Sequence, residues 1–172
     1  MGTLAGWRFC PRCGADVEVG GGSARCSACG FVAYASSEPT VCALCVDERG
    51  RLLLGRRALE PDRGKWDLPG GFIEEGEHPL DALRRELREE TGLEVEPLEF
   101  VGAWIDRYGS GDSDATTLNL YWRVRVMAGE ASPADDVAEL RWFRADELPP
   151  ASEIAFRTVA DVLRAWQGSV AA

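Results

Sequence analysis

Three glutamates carry the first chemical signal in the chain: Glu86, Glu89 and Glu90. At about 100° per residue, a helix through them puts Leu80, Leu83 and Leu87 on one apolar arc. Glu86 and Glu90 occupy the adjoining arc, and Glu89 lies further round towards solvent. Glu86 and Glu90 also form an i,i+4 pair of like charge, which alone destabilises a helix by roughly 0.2–0.5 kcal/mol. Carboxylates crowded beside a buried face need a compensating cation, and hard divalent cations favour oxygen ligands. A solvated acidic face is the plain alternative for any Glu-rich helix. Upstream, Gly70 and Gly71 let the backbone approach a ligand closely, so a carbonyl oxygen could join such a site.

A second signal lies near the start. Cys10-Pro-Arg-Cys13-Gly and Cys26-Ser-Ala-Cys29-Gly are two C-x2-C knuckles separated by twelve residues. Each is followed by Gly, which suits the tight turn that presents backbone amides to thiolates. Four cysteines at this spacing predict one structural zinc, and a closed four-thiolate site has no open position for catalysis. Cys42 and Cys45 repeat the spacing inside an apolar run with no Gly after either, so they read as buried free thiols. His78 is the one histidine and suits a helix N-cap, which excludes multi-histidine metal sites.

Elements must position these groups. Thr40–Val46 and Arg51–Arg57 read as strands joined by a turn at Asp47–Gly50. A Gly- and Pro-bearing loop (Glu60–Lys65) and the short segment Trp66–Pro69 lead to a helix at Leu80–Thr91. His78 caps that helix, Pro79 lies in its first turn and Gly92 stops it. Strands follow at Leu98–Asp106 and Thr117–Met127, around a turn-rich loop at Gly109–Ala115. Leu140–Arg144 reads as a short strand and Ser152–Trp166 as a last amphipathic helix. This order predicts an α+β fold: a mixed sheet covered by helices. A small zinc ribbon at residues 1–34 precedes a main domain at residues 38–172.

From Gly71 to Leu93 the chain follows G-x5-E-x7-R-E-U-x-E-E-x-G-U, where U is aliphatic. Gly71, Glu77, Arg85, Glu86, Leu87, Glu89, Glu90, Gly92 and Leu93 fill every fixed position. In this the chain resembles the Nudix hydrolases, and the resemblance implies the Nudix α/β/α sandwich. It implies that Glu86, Glu89 and Glu90, with a carbonyl near Gly71, hold one to three magnesium or manganese ions. It implies an ion pair between Glu77 and Arg85. The general base in such enzymes is a box glutamate or an acid of a later loop. Asp135, Asp136 and Glu139 lie in that loop, with Asp136 preferred, Glu139 second, and a plain surface carboxylate the alternative for each.

The resemblance also bounds the substrate to a nucleoside diphosphate joined to another group. Zinc-ribbon Nudix proteins include NADH pyrophosphatases and ADP-ribose pyrophosphatase-like proteins. The Ser-Gln-Pro-Trp-Pro-Phe-Pro array of the NADH group is missing from Ala103–Asp114. Tyr108 stands where the ADP-ribose group often has proline, a placement associated with dinucleoside polyphosphate hydrolases. ADP-ribose or another ADP-sugar therefore leads, with NADH, FAD and dinucleoside polyphosphates behind. Trp66, Trp104 and Tyr108 are candidates to stack on a base, although Trp66 equally suits the core. Arg56, Arg57 and Arg107 could reach phosphates through paired hydrogen bonds, or be solvated surface charges.

The chain has 172 residues, 45% of them hydrophobic, and a net charge of −10. That length buries a real core, and that charge argues against non-specific nucleic-acid binding. No apolar run approaches a membrane span, and no secretory signal is visible at the start, so a cytoplasmic location is expected. A homodimer is possible, with the ribbon either joining the copies or covering the substrate. A non-catalytic nucleotide sensor is the competing class, but such regulators usually append a DNA-binding domain and often carry a degraded box.

Overall fold

The structure, a computed structural model, describes Leu4, residues 6–109 and residues 115–170. Most of the loop expected at Gly109–Ala115 lies outside these residues. The chain divides into two compact units, Met1–Glu38 with Arg107–Thr117, and Pro39–Asp106 with Leu118–Ala172.

In the first unit β1 (Glu18–Gly20), β2 (Ser23–Arg25) and β3 (Val32–Tyr34) form an antiparallel sheet in sequence order. Gly21 and Gly22 turn the β1–β2 hairpin with φ of 58° and 75°. Two successive positive φ angles are what a tight hairpin requires, and Gly supplies them without strain. The sequence reading assigned no strands here.

In the second unit β4 (Glu38–Cys45) alternates between two cores. Val41, Ala43 and Cys45 point into one, Leu44 into the other, with Cys42 and Val46 packed against it. The first core is closed by helix α1 (Pro79–Thr91) through Ala82, Leu83 and Leu87. The second is closed by helix α2 (Arg157–Val170) through Val159, Val162, Leu163 and Trp166. This two-sided burial makes the helix–sheet–helix layering, and each fully buried leucine contributes about 1.5–3 kcal/mol.

Two sheets share the middle layer. One runs β7-β4-β9-β8, with β7 at Gly70–Phe72, β8 at Glu94–Tyr108 and β9 at Ala115–Ala128. The other runs β10-β5-β6, with β5 at Leu52–Arg57, β6 at Trp66–Asp67 and β10 at Val137–Phe143. The turn at Asp47–Gly50 is closed by Gly50 N–H on the Asp47 carbonyl, and the Asp47 carboxylate accepts from the Arg49 and Arg51 amides.

Within the short segment Trp66–Pro69, Trp66–Asp67 pairs with β5, and the glycines that follow Pro69 pair with β4. One expectation needs correction. The last helix starts at Arg157, not Ser152, because Ile154 makes a parallel bridge to Trp66 and Ala155 N–H donates to the Trp66 carbonyl. That pairing holds the backbone extended where amphipathic spacing alone continues a helix. Among the described residues, no helix is long and apolar enough to cross a membrane.

Candidate functional site

Helix α1 begins and ends on the residues that its sequence marks. His78 Nδ1 accepts from Leu80 N–H at 3.2 Å, Pro79 opens the first turn, and Gly92 closes the last with φ 70°. This fixes the rotation of the helix, and with it the carboxylates.

Glu90 is turned inward and is 7% exposed; its Oε2 accepts from Gly70 N–H at 2.8 Å. Gly70 and Gly71 make this closeness possible. A Cβ on Gly70, at φ 143°, would lie 2.1 Å from the Val41 carbonyl oxygen; one on Gly71 would lie 2.6 Å from the Glu86 carboxyl carbon. The glycine pair thus lets Glu86 rest directly on the β7 backbone, so that its carboxylate and the carbonyls of that strand share one small region.

Arg85 organises the outer side. It donates through Nε and Nη2 to the two oxygens of Glu77 at 2.9 and 2.8 Å, through Nη1 to Glu86 at 2.7 Å and Glu89 at 3.2 Å, and through Nη2 to the Phe72 carbonyl at 3.0 Å. The Arg85 hydrogen bonds and the Glu74 amide hold the Glu77 carboxyl down at about 2. Glu86 moves the other way: burial raises it, and Arg85 only partly opposes this. Burial also raises Glu90 strongly, and the charges of Asp136, Glu86 and Asp67 push it further.

Asp136 arrives from the far end of the chain. The loop before β10 is tied to the end of α1 by Ser132 N–H on the Thr91 carbonyl and Ala134 N–H on the Glu90 carbonyl, both at 3.0 Å. A register shift between Val137 and Glu139 bulges β10 at this point, and bulges re-aim neighbouring side chains. Asp136 then shares a cavity of about 20 Å³ with Glu90, Asp67, Arg57 and Gly70. A space of that size holds about one water. Glu139, by contrast, is exposed and faces Arg56 at 3.4 Å, and Asp135 is exposed at φ 52°.

Asp67 is the acid that the sequence reading missed. It is largely buried, and burial lifts it to about 7 despite the nearby Arg57 charge. Its signal was its place in Trp66-Asp67-Leu68, a polar residue between two buried ones just before the glycine pair.

The substrate candidates are scattered. Trp66 is a core residue, 3% exposed, edge-on to Phe143 at 5.0 Å with Arg56 stacked over it at 4.7 Å. The core alternative holds for it, and no face of its ring is open to a base. Arg57 is not a solvated surface charge: its side chain is 12% exposed and paired with Asp67. Trp104 is half-buried and edge-on to Tyr121 at 5.2 Å, with its carbonyl accepting from Asn119. Arg107 and Tyr108 fall in the first unit. Two larger hollows in the second unit, about 920 and 590 Å³, contain none of the helix carboxylates.

In the first unit the two knuckles repeat one geometry. Gly14 N–H donates to the Cys10 carbonyl and Gly30 N–H to the Cys26 carbonyl, with φ of 76° and 75° at the glycines. Sγ separations are 3.7 Å for Cys10–Cys29 and 3.6 Å for Cys13–Cys26. Tetrahedral bonds of about 2.3 Å to zinc place sulfurs about 3.8 Å apart, so the four thiols fit that ion. Burial raises the Cys10 thiol, but the Arg12 and Cys13 amides and the adjacent thiols outweigh it and bring it to about 7. Among the described residues, this is the one set of three or more such groups whose ligand atoms gather within 4.8 Å. Cys42 and Cys45 are free, the first half-buried and the second buried.

A model of the NUDIX domain matches residues 36–162. The chain belongs to the Nudix family. The NAD-capped RNA hydrolase NudC of Pseudomonas aeruginosa is 30% identical over 148 residues, covering 83% of this chain and 50% of that protein. The chain thus spans about half the length of that Nudix relative. The ADP-ribose pyrophosphatase of Methanocaldococcus jannaschii is 31% identical over 124 residues, covering 71% of this chain and 70% of that protein. A crystal structure of a Nudix hydrolase from Nitrosomonas europaea superposes with a TM-score of 0.78 at 27% identity, over 95% of this chain and 92% of the other. The N-terminal cysteine cluster is consistent with a zinc ribbon ahead of this Nudix domain.

Proposed function

We propose that this Nudix chain hydrolyses a phosphoanhydride bond in a nucleoside diphosphate-X substrate, with ADP-ribose as the leading compound and AMP plus ribose 5-phosphate as products. The observation that carries this is the convergence of Glu86, Glu90 and the Gly70–Gly71 backbone with Asp136. Four acids, Glu86, Glu90, Asp67 and Asp136, share two arginines: Arg57, paired with Asp67, and Arg85, which binds Glu86 but also Glu77. That excess of buried negative charge fits one or more divalent cations, and the oxygen donor set fits magnesium.

Glu86, Glu89, Glu90 and a carbonyl near Gly71 would hold the metal. When bound, it neutralises phosphate charge and acidifies a coordinated water. Glu77 and Arg85 keep the helix acids aimed. Asp136 accepts the proton of the attacking water, because it stands in the water-sized cavity beside Glu90 whereas Glu139 points to Arg56. The four thiols of the first unit would hold one structural zinc.

ADP-ribose leads because the archaeal relative of comparable length is named for it. NADH or an NAD-capped end is the second reading, supported by the NudC relative. ADP-ribose, NADH, FAD and diadenosine tetraphosphate are to be compared with magnesium present, reading AMP release. ADP-ribose should give the highest kcat/KM. A higher value for NADH would transfer the assignment to the second reading, and tight binding without turnover of any compound would overturn the enzyme.

A further inference from the structure

Beside the site lies a buried ion pair that the Nudix box does not contain. Arg57 donates through Nη1 to Asp67 Oδ2 at 3.3 Å and through Nε to the Pro61 carbonyl at 2.8 Å, and its guanidinium lies 5.2 Å from the Phe156 ring centroid. Asp67 is fixed in turn by Leu68 N–H on its Oδ1 at 2.8 Å. Both side chains are largely buried, 12% and 17% exposed. The backbone then aligns this pair with Asp136. Arg57 stands opposite Val137 across β5 and β10, and Ala58 N–H donates to the Asp136 carbonyl at 2.7 Å. Arg57, Asp67, Asp136 and Glu90 all line the same small cavity.

A guanidinium in that cavity can pair with more than one carboxylate, and Arg57 is held on the Asp67 side by its Nη1 bond to Asp67 and its Nε bond to the Pro61 carbonyl. Which acid it takes decides which acid stays free. We propose that Asp67 is a positioning residue: it draws Arg57 away from Asp136 and so leaves that carboxylate free to accept a proton from water. Arg57 then acts as a fixed internal cation. It does not clamp a substrate phosphate, because it is already held by Asp67, Pro61 and Phe156. The inference rests on Asp136 being the general base.

Asp67→Asn keeps the side-chain shape and the acceptor for Leu68 N–H, but removes the charge that holds Arg57. Turnover is to be measured above pH 7, where Asp67 is ionised, on whichever of the four compounds the unaltered chain hydrolyses fastest. The expected result is a fall in kcat of about tenfold or more, with KM unchanged within about twofold. Adding Arg57→Gln to Asp67→Asn removes the intruding cation and should restore most of kcat. Rates are taken per folded molecule well below melting, so that regained stability cannot imitate regained turnover. Unchanged kcat in Asp67→Asn, or a double variant no faster than the single one, would overturn the positioning role. Asp136→Asn separates the two readings. If it abolishes turnover while Asp67→Asn does nothing, the positioning role alone fails. If it turns over normally, the base assignment fails and the role of Asp67 falls with it, as both do if none of the four compounds is hydrolysed.

Discussion

The cysteine knuckles of the first unit and the acidic helix of the second both gather negative ligands, and they do so by opposite means. The thiols come from two short turns within twenty residues, joined by the β1–β2 hairpin. The acids come from α1, from β6 and from the loop before β10, and they are held by arginines, a glycine pair and a strand bulge. The thiol set is compact, with all four sulfurs within 4.8 Å of one another. The acid set is open and over-charged, with hydrogen bonds on some oxygens and a water-sized space beside others. A site that must only hold can be local and complete, whereas a site that must turn over a substrate leaves ligands incompletely satisfied and spreads their support through the fold.

The sharpest way to break this contrast is to remove one thiol. Structural zinc contributes on the order of 10 kcal/mol to the folding of small zinc modules, and a sheet as small as β1–β3 has little core to replace it. Cys26→Ser should reduce bound zinc from about one per chain to near zero. Amide exchange protection in β1–β3 should vanish while α1 and β4 keep theirs. Retained zinc together with retained protection in this variant would show that the four thiols are not the ligand set.

The matching change in the acidic site should leave the fold and remove the chemistry. Glu90→Gln keeps an oxygen to accept from Gly70 N–H, so the anchor between α1 and β7 survives. It also deletes a buried charge that Asp136, Glu86 and Asp67 repel. With divalent cations chelated, the variant should therefore melt at the same temperature or higher. Its rate with magnesium should fall about 10³-fold, because the metal supplies several kcal/mol of transition-state stabilisation. Near-normal turnover would remove Glu90 from the metal site. A large loss of stability would make it a structural residue like the cysteines.

The same contrast explains what could be read before the fold was seen. The knuckles were legible because their ligands are neighbours in sequence and the glycines after them have one use. Helix α1 was legible from His78 to Gly92 because caps and apolar period are local signals. Asp136 could be named only through resemblance: its approach to Glu90 depends on the Ala134 and Ser132 hydrogen bonds and a bulge, none of which leaves a short-range pattern. Asp67 was passed over because its surroundings combine the β5 strand paired with it and Asp136 and Val137, which are distant in sequence. Trp66 was ambiguous because an aromatic beside a glycine loop suits a core and a binding face equally, and only the packing of Phe143 and Arg56 decides it.

The smallest expected effect concerns pH and tests how unlike the two sites are in their tolerance of charge. Burial raises Asp67 from 3.8 to about 7, with Arg57 opposing. A carboxyl raised on folding binds its proton more tightly in the folded chain than in the unfolded one. Its contribution is therefore fully present below pH 3.8 and is lost as pH rises towards and through 7. Glu77 has the opposite sign: held at about 2, it contributes stability that is lost only as pH falls below 4.5. The two windows overlap only between 3.8 and 4.5, so the interval from 4.5 to about 7 reports Asp67 together with the raised Glu86 and Glu90. In chelator, the unaltered chain should lose stability across that interval and Asp67→Asn should lose less. The difference should be about 2 kcal/mol, or roughly 4–8 °C in Tm for a domain of this size. Identical slopes for the two proteins would show that Asp67 is already ionised throughout the interval and is matched by Arg57 as fully as a thiolate is matched by its metal.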